Sequence, residues 1–297
     1  MYTLSFEEAT DREKRIGGKA MNLVKMKKHD LPVPDGFIVT IESLFHSLRE
    51  SGLSTDDARD MEEKMKSLVL PEALANELKV AFEKLMKVYP AVAVRSSASS
   101  EDLEDASFAG QYESYLNVTT FEDLLDKIKD CWRSMFAPQV RHYAKNMNMP
   151  EADWSMGVVV QGLVHSDVSG VVFSANPLTE STNEMVINAS FGLGEAVVSG
   201  IVTPDLFIVN KDSLEIKKEL GLKEIKIIPD GAGTKEIETT EEEQSRFCLS
   251  DAQVKQIAEM TKKVEDIYNA PIDLEFGLQG NELFVLQVRP ITTLLRR

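Results

Sequence analysis

The stretch DLEFGLQGNELFVLQVR, residues 273–289, predicts a β-hairpin whose two faces differ in polarity. If residues 279–281 form a three-residue loop, Leu278 faces Glu282, and strand alternation gives Glu275 the same face as Val285, Gln287 and Arg289. The opposite face, expected to join a core, then consists of Leu274, Phe276, Leu278, Phe284, Leu286 and Val288. A two-residue loop would instead move Glu275 to the core face, where an unpaired carboxylate is costly to bury.

An acid, an amide and a guanidinium on one strand face are typical of a site for phosphate and Mg²⁺. Mg²⁺ prefers hard oxygen ligands and takes few of them from protein, so the Glu275 carboxylate and the Gln287 amide are a sufficient pair. An exposed amphipathic hairpin explains the same pattern, and periodicity alone does not decide between the two interpretations.

Composition and charge restrict the class of protein. The 297 residues, 43% of them apolar, are enough for one large domain or two medium ones with a hydrophobic core. The net charge of −16 and the pI near 4.8 argue against a nucleic-acid backbone or an anionic membrane as the main partner. No apolar run reaches the ~20 residues of a membrane span, and the first residues lack a signal-peptide pattern, so we expect a cytoplasmic protein.

The order of helix and strand patterns predicts an α+β protein of two lobes. Helical periodicity dominates over residues 41–89, and strand patterns dominate after residue 155. The lobes are expected to join near VVVQGLV, residues 158–164, which gives a first lobe of residues 1–160 and a second of residues 161–297. Ser250 is expected to cap the helix before the final hairpin, and the isolated Cys131 and Cys248 are expected to be core thiols.

Three cations stand at the ends of predicted elements, where an acidic chain could concentrate positive charge for phosphate. Lys19 follows a glycine pair at a helix start, Arg95 follows the apolar AVAV, and Arg289 ends the hairpin. Two glycine-bearing runs, SFAGQ at residues 107–111 and FGLGEAVVSG at residues 191–200, could let backbone N–H groups approach phosphate. Neither run is a Walker A or G-x-G-x-x-G sequence, so each is a weak signal on its own.

Taken together, six blocks in one order carry a specific resemblance. They are GGKAMNL, PVPDGFIVT, AVRSSASSEDLEDASFAGQYESYLNV, SGVVFSANP, FGLGEAVVSG and DLEFGLQGNELFVLQVRPIT. From about Phe6 to Thr293, the chain resembles the ATP-grasp nucleotide-binding domain of the phosphoenolpyruvate synthase, pyruvate phosphate dikinase and rifampin phosphotransferase family. That resemblance implies an ATP-grasp fold with the nucleotide in the cleft between two lobes.

The resemblance also implies roles for individual residues. Lys19 and Arg95 match catalytic cations that hold the nucleotide phosphates, and Ser114 stands where relatives have a threonine whose hydroxyl meets them. Arg289 matches the catalytic arginine that stabilises the transferring phosphate. The implied ATP-binding residues are Lys19, Arg95, Gly110, Gln111, Ser114, Gln161, Gly162, Leu163, Glu275, Gln287 and Arg289. Glu275 and Gln287 match the Mg²⁺ ligands, and residues 161–163 match the segment that meets adenine through backbone groups.

By resemblance, the chain cleaves ATP and transfers its β-phosphoryl group to a histidine, releasing AMP and phosphate. In relatives this histidine lies on a swivelling domain, in a glycine- and threonine-rich turn, and none of His29, His46, His142 and His165 has that setting. We therefore expect the histidine on another chain or on a part of the protein outside this sequence. The final acceptor would be pyruvate, a phenol or an antibiotic hydroxyl.

Two other interpretations remain open: a nucleotide-binding regulatory module without turnover, and a structural interaction protein with no ligand. A nucleotide-binding regulatory module without turnover is the main alternative, and the complete set of phosphate-binding residues argues against it.

The acids Glu101, Asp102, Glu104 and Asp105 are expected to point away from the nucleotide, because carboxylates beside a triphosphate would repel it.

Overall fold

The computed structural model describes residues 1–10, 15–53, 60–98, 102–103, 106–107, 113–137, 140 and 155–291. The chain forms two compact units, one of Met1–Asp30 with Asp35–Leu163 and the other of Leu31–Pro34 with Val164–Arg297. Helices and antiparallel sheets occur together in this architecture, so the predicted α+β class is confirmed. The assignment of residues 1–160 and 161–297 as functional lobes stays a prediction.

The first unit carries most of the described helices. Its strands are β1 (Thr3–Ser5), β2 (Gly36–Val39), β3 (Val92–Ala98), β4 (Asp102–Leu103), β5 (Ala106–Ser107), β6 (Ser114–Val118) and β7 (Met156–Gly162). Its helices are α1 (Gly18–Lys28), α2 (Ile41–Glu50), α3 (Met61–Lys64), α4 (Glu72–Leu85) and α5 (Phe121–Ser134), with a 3-10 turn at Met65–Ser67. Five strands form an antiparallel sheet in the order β1-β2-β7-β3-β6, and β4 pairs with β5.

The sheet of the first unit has one face in the hydrophobic core. Val94 and Val160 on this face belong to a buried cluster with Leu78 of α4 and Trp132 of α5. Successive side chains of a strand point to opposite faces, so Arg95 lies on the other face of the sheet. Helix α1 packs against part of this second face, where Ile38, Val159 and Ser97 are fully buried.

The second unit is dominated by strands. They are β8 (Val168–Phe173), β9 (Glu184–Phe191), β10 (Asp205–Asn210), β11 (Ile216–Glu219), β12 (Ile225–Asp230), β13 (Gly233–Glu238), β14 (Ile272–Gln279) and β15 (Glu282–Pro290). The helices are α6 (Glu195–Val198), α7 (Glu241–Ser245) and α8 (Asp251–Tyr268). Six strands form an antiparallel sheet in the order β11-β10-β9-β8-β14-β15, and β12 pairs with β13 as a separate hairpin.

Local signals explain how α8 is placed against this sheet. The Ser250 side chain accepts a hydrogen bond from the Gln253 N–H, and the Gln253 side chain bonds back to Ser250, so the expected N-cap is confirmed as a capping box. Val254, Ile257 and Val264 are buried at helical spacing, which gives α8 the apolar stripe that it packs against the sheet.

Both cysteines are buried and free, as expected for core thiols. Within the described residues, no helix is both long enough and apolar enough to cross a membrane.

Candidate functional site

The final hairpin has a two-residue turn, so the expected three-residue loop is wrong. Gln279 pairs with Glu282, and the chain reverses through Gly280 and Asn281, with Gly280 at a φ of 60°. Glycine adopts this left-handed conformation without the steric cost of a Cβ, which suits a tight hairpin turn.

A β-bulge between Glu275 and Phe276 then changes the register. Phe276 pairs with Val285, whereas Glu275 pairs with Gln287, so Leu286 is the extra residue of β15. One extra residue exchanges the two faces of a strand beyond the bulge. The bulge therefore returns Glu275 to the face of Gln287 and Arg289, and the predicted grouping of these three side chains is confirmed, by a different route.

The bulge also corrects the expected core face of β15. Leu283 and Val285 are buried before the bulge and Val288 after it, whereas Phe284 and Leu286 are partly exposed. The expectations that Phe284 and Leu286 join the core and that Val285 shares the face of Glu275 are wrong, because the shorter turn inverts the alternation up to the bulge. On β14, the expected core residues Leu274, Phe276 and Leu278 are all buried.

Arg289 is paired with an aspartate that the sequence analysis did not single out. Asp273 and Arg289 face each other across β14 and β15, and the Arg289 Nε donates a hydrogen bond of 3.2 Å to the Asp273 Oδ1. A bond through Nε orients the planar guanidinium, whose further N–H donors can match a phosphate. The signal was available, since Asp273 precedes Glu275 by two residues and so shares its strand face.

The ionisation of Asp273 reflects opposing influences. Burial raises the pKa of this carboxyl above its usual range, the nearby Arg289 guanidinium lowers it, and the Glu275 carboxylate raises it, with a net increase. A raised pKa in the folded state means that the protonated carboxyl favours folding. That contribution is present at low pH and is lost as the pH rises through the raised pKa.

Replacing Asp273 with asparagine is therefore expected to flatten the pH dependence of stability. The free energy of unfolding of the unmodified protein should fall relative to that of Asp273→Asn as the pH rises from about 4 towards 7. Urea unfolding at a series of pH values measures this difference, with the exposed Asp212→Asn as a control for carboxylate loss in the same unit. A variant that becomes relatively less stable towards pH 7 would show that the ion pair with Arg289 outweighs burial.

Glu275 and Gln287 meet the requirements of a magnesium site that is completed by phosphate. They are direct cross-strand partners, Glu275 is partly exposed, and Gln287 is 6% exposed. Across the described ranges, no group of three or more His, Cys, Asp or Glu side chains is arranged to hold a metal by itself. Mg²⁺ usually takes one or two protein oxygens and completes its shell with substrate phosphates and water, so this carboxylate and amide pair fits the ion.

The first unit places Lys19 in a glycine turn at the start of α1. Gly17 has a φ of 78°, and a Cβ at this position would overlap the carbonyl oxygen of Ser97 on β3. The turn therefore lies directly against β3, and only glycine allows so close an approach. Lys19 is 7% exposed, so its aliphatic stem is enclosed at this junction.

Arg95 and Ser114 are brought together by the same sheet. Arg95 pairs with Ser114 of β6 on one side and with Val159 of β7 on the other. Directly opposite residues of an antiparallel pair project to the same side, so the guanidinium and the exposed hydroxyl share one face. Gln161 lies on this face as well, because it follows Val159 by two residues in β7.

Residues 161–163 use two of their backbone N–H groups within the first unit. The Gly162 N–H donates to the Asp35 carbonyl at 2.8 Å, and the Leu163 N–H donates to the Ala91 carbonyl at 3.0 Å. A base that met Gly162 or Leu163 through the backbone would therefore rely on their carbonyl groups as acceptors of its amino protons. Gly162 is required for packing, because a Cβ there would overlap the Tyr89 ring.

A small apolar cluster adjoins this segment. It comprises Ala91, Ala93 and Leu163, with the partly buried Leu116 packed against them, and it is separate from the main core of the unit. Ala93 pairs with Gln161 in the sheet, so apolar surface and an amide group are neighbours here. This combination suits a flat heteroaromatic ring with polar edges.

Gly110, Gln111, Glu101, Glu104 and Asp105 lie outside the described residues, and for Asp102 only the backbone is described. The remaining predicted residues fall into two groups, each within one unit: Lys19, Arg95, Ser114 and residues 161–163 in the first, and Glu275, Gln287 and Arg289 in the second.

Known proteins match the chain over nearly its whole length. The family model described as pyruvate phosphate dikinase, AMP/ATP-binding domain, matches residues 13–297. An uncharacterized phosphotransferase, YvkC, of Bacillus subtilis (strain 168) is 50% identical over 294 residues, which cover 99% of this chain and 35% of that protein. The phosphoenolpyruvate synthase of Pyrococcus furiosus is 35% identical over 356 residues, covering 97% of this chain and 43% of that protein.

Among solved structures, PH1788 from Pyrococcus horikoshii has a TM-score of 0.42 and 14% identity, over 96% of this chain and 95% of that one. D-alanine–D-alanine ligase from Helicobacter pylori has a TM-score of 0.40 and 11% identity, over 93% of this chain and 55% of that one.

The chain spans less than half the length of the curated relatives that it matches, from 25% for the probable phosphoenolpyruvate synthase of Methanocaldococcus jannaschii to 46% for that of Methanothermobacter thermautotrophicus. The family match covers both groups of site residues, and it confirms the resemblance carried by the six sequence blocks. The chain therefore belongs to the pyruvate phosphate dikinase AMP/ATP-binding domain family.

Proposed function

We propose that this chain is the ATP-binding component of a phosphotransferase that passes the β-phosphoryl group of ATP to a histidine on another domain. Glu275, Gln287 and Arg289 on one face of the final hairpin are the observation that carries the proposal. A site that only bound nucleotide would have little need of a pair of Mg²⁺ ligands beside an arginine. AMP, phosphate and a phosphohistidine would be the products of ATP, water and the histidine.

The two units would contribute different parts of the reaction. In the first unit, Lys19 and Arg95 would bind phosphate oxygens as fixed cations, and the Ser114 hydroxyl would donate a hydrogen bond to them. In the second unit, Glu275 and Gln287 would hold Mg²⁺, which neutralises phosphate charge when it is bound. Arg289 would stabilise the charge on the transferring group, and Asp273 would keep its guanidinium oriented.

Phosphoryl transfer depends mainly on positioning and charge neutralisation, so this chain needs no general base of its own. The attacking nitrogen would come from a swivelling domain on another chain or elsewhere in a longer protein. We propose pyruvate, a phenol or an antibiotic hydroxyl as the final acceptor, and the relatives named phosphoenolpyruvate synthase favour pyruvate. We also propose that residues 1–160 and 161–297 act as the two ATP-grasp lobes and that the protein works in the cytoplasm.

The test is transfer of label from ATP carrying ³²P at the β position. The chain is incubated with Mg²⁺ and labelled ATP, with and without a histidine-bearing domain taken from one of the longer relatives. We expect acid-labile label on the added domain and AMP release that depends on that domain. A matched domain in which the histidine is replaced by alanine should remain unlabelled.

A regulatory module without turnover gives the opposite result. ATP would then bind to the chain, and neither AMP nor labelled domain would form with any histidine-bearing domain offered. That outcome would overturn the transfer reaction and leave ATP binding as the function.

A further inference from the structure

We propose that Ser97 is a positioning residue, which holds the turn carrying Lys19 on the strand carrying Arg95 and so sets the spacing of the two phosphate-binding cations. The inference rests on the proposed roles of Lys19 and Arg95. Ser97 itself is fully buried, so it would act on the nucleotide only through these neighbours.

The Ser97 hydroxyl makes two hydrogen bonds that together close the start of α1. Its Oγ donates to the Ile16 carbonyl at 2.8 Å and accepts from the Ala20 N–H at 3.0 Å. These partners lie immediately before and immediately after the segment that contains Lys19. A single side chain from β3 therefore fixes both ends of the turn.

This arrangement replaces a local helix cap. The first N–H groups of a helix have no partners inside the helix, and a serine, threonine, aspartate or asparagine at the N-cap usually satisfies one of them. Here the N-cap residue is Gly17, which has no side chain to do so, and no side-chain cap bond comes from it. Ser97, 77 residues from Ala20 in sequence, accepts the bond instead.

Backbone packing reinforces these hydrogen bonds. Because a Cβ at Gly17 would overlap the Ser97 carbonyl oxygen, the turn and the strand are in direct contact at this point. The Ser97 side chain is 0% exposed, so bulk water cannot substitute for its two partners. Loss of the hydroxyl would leave a buried carbonyl and a buried N–H without their bonds and would loosen the turn.

The geometry links the turn to Arg95 through one rigid strand. Arg95 and Ser97 are two residues apart in β3, about 7 Å along the strand, and their side chains point to the same face. Lys19 precedes the bonded Ala20 by one residue. The distance between the two cations thus depends on the bonds that Ser97 makes, and phosphate binding by two fixed cations is sensitive to such a distance.

The test is a double-mutant cycle on ATP affinity. Ser97→Ala is expected to weaken Mg–ATP binding about tenfold, the factor that corresponds to one lost hydrogen bond. In a Lys19→Ala background, the same substitution is expected to weaken binding by less than about twofold, because the residue through which Ser97 acts is already gone. Calorimetric titration with Mg–ATP measures all four affinities, and it needs no phosphate acceptor, so failure of the transfer reaction does not affect the result.

Ser47→Ala is the matched control. Ser47 is also fully buried in the first unit, and its hydroxyl donates a 2.8 Å bond to the Ser43 carbonyl within α2. We expect Ser47→Ala to leave ATP affinity unchanged and to destabilise the protein less than Ser97→Ala, because the Ser43 carbonyl keeps its backbone partner within α2. Equal weakening by Ser97→Ala in both backgrounds, or no weakening at all, would overturn the proposal in favour of a purely structural role. If Ser97→Ala does not fold, the cycle is repeated with Ser97→Cys, whose thiol is a weak donor and acceptor of similar size.

Discussion

Replacing Arg289 with alanine is expected to lower the rate of phosphoryl transfer to a histidine-bearing domain by about 1,000-fold, the effect typical of an arginine that stabilises a transferring phosphate. The structure provides the physical reason, because Asp273 holds the Arg289 Nε at 3.2 Å on the face shared with Glu275 and Gln287. ATP affinity should fall much less than the transfer rate, since Lys19 and Arg95 would still bind the phosphates. Single-turnover transfer of β-phosphate label and calorimetric ATP titration measure the two effects separately.

Two further variants separate catalysis from the loss of an ion pair. Arg133→Ala removes an arginine that is exposed to a similar extent, 36% against 30%, and that is likewise paired with an aspartate, Asp130. It should leave transfer unchanged. Arg289→Lys should recover only part of the rate, because an ammonium lacks the planar fork that can engage a carboxylate and a phosphate together. Transfer by Arg289→Ala within about tenfold of the unmodified rate would contradict the proposed role.

Replacing Asp205 with alanine is expected to destabilise the protein by about 3–5 kcal/mol, because it leaves the buried Lys223 without its charge partner. Both side chains are 0% exposed, and the Lys223 Nζ lies 2.7 Å from the Asp205 Oδ1. The same carboxylate accepts backbone N–H bonds from Gly221 at 2.8 Å and from Cys248 at 2.7 Å. Asp205 therefore joins β10 to two loops of the second unit. Urea unfolding of the Asp205→Ala variant measures the decrease in the free energy of unfolding.

The comparison pair for this prediction lies on the surface of the same unit. Lys218 and Asp251 also form an ion pair, at 2.9 Å, with side chains that are 39% and 62% exposed. Solvent screens such a pair, so Lys218→Ala should cost less than about 1 kcal/mol. In Asp205→Ala/Lys223→Met, the second change removes the unpaired charge, and we expect the double variant to unfold at higher urea than Asp205→Ala alone. An Asp205→Ala cost no greater than that of Lys218→Ala would refute the prediction.

The final hairpin was predicted with the right group of polar side chains but with the wrong turn length. Alternation within β14 and within β15 is a local property, so the identity of the polar face near Glu275 and Gln287 was accessible from the sequence. The turn length was not, because Gly280 and Asn281 support a tight two-residue reversal as well as a longer loop. The bulge at Leu286 offsets the shorter turn, and burial of an unpaired Glu275 carboxylate is the cost that this register avoids.

Strand patterns dominate the sequence after residue 155, but they do not single out the hairpin β12–β13. Its strands have weak patterns, and the second, Gly233–Glu238, carries charged and mostly exposed side chains. Pairing with Ile225–Asp230 across the turn at Gly231 stabilises it as a strand. Strand formation here depends on the partner, and single-strand propensity is a poor guide in such cases.

The sequence by itself determined the α+β class, the order of most elements, the N-cap at Ser250, the family and the chemical types available to the site. These features depend on patterns within a few residues or on the six sequence blocks that resemble a known family. Only the tertiary structure decided the bulge that groups Glu275 with Gln287, the pairing of Asp273 with Arg289, the closure of the Lys19 turn by Ser97 and the buried Asp205–Lys223 pair. Each of these joins residues distant in sequence or depends on register, and register is selected by burial across a whole sheet, which no local pattern specifies.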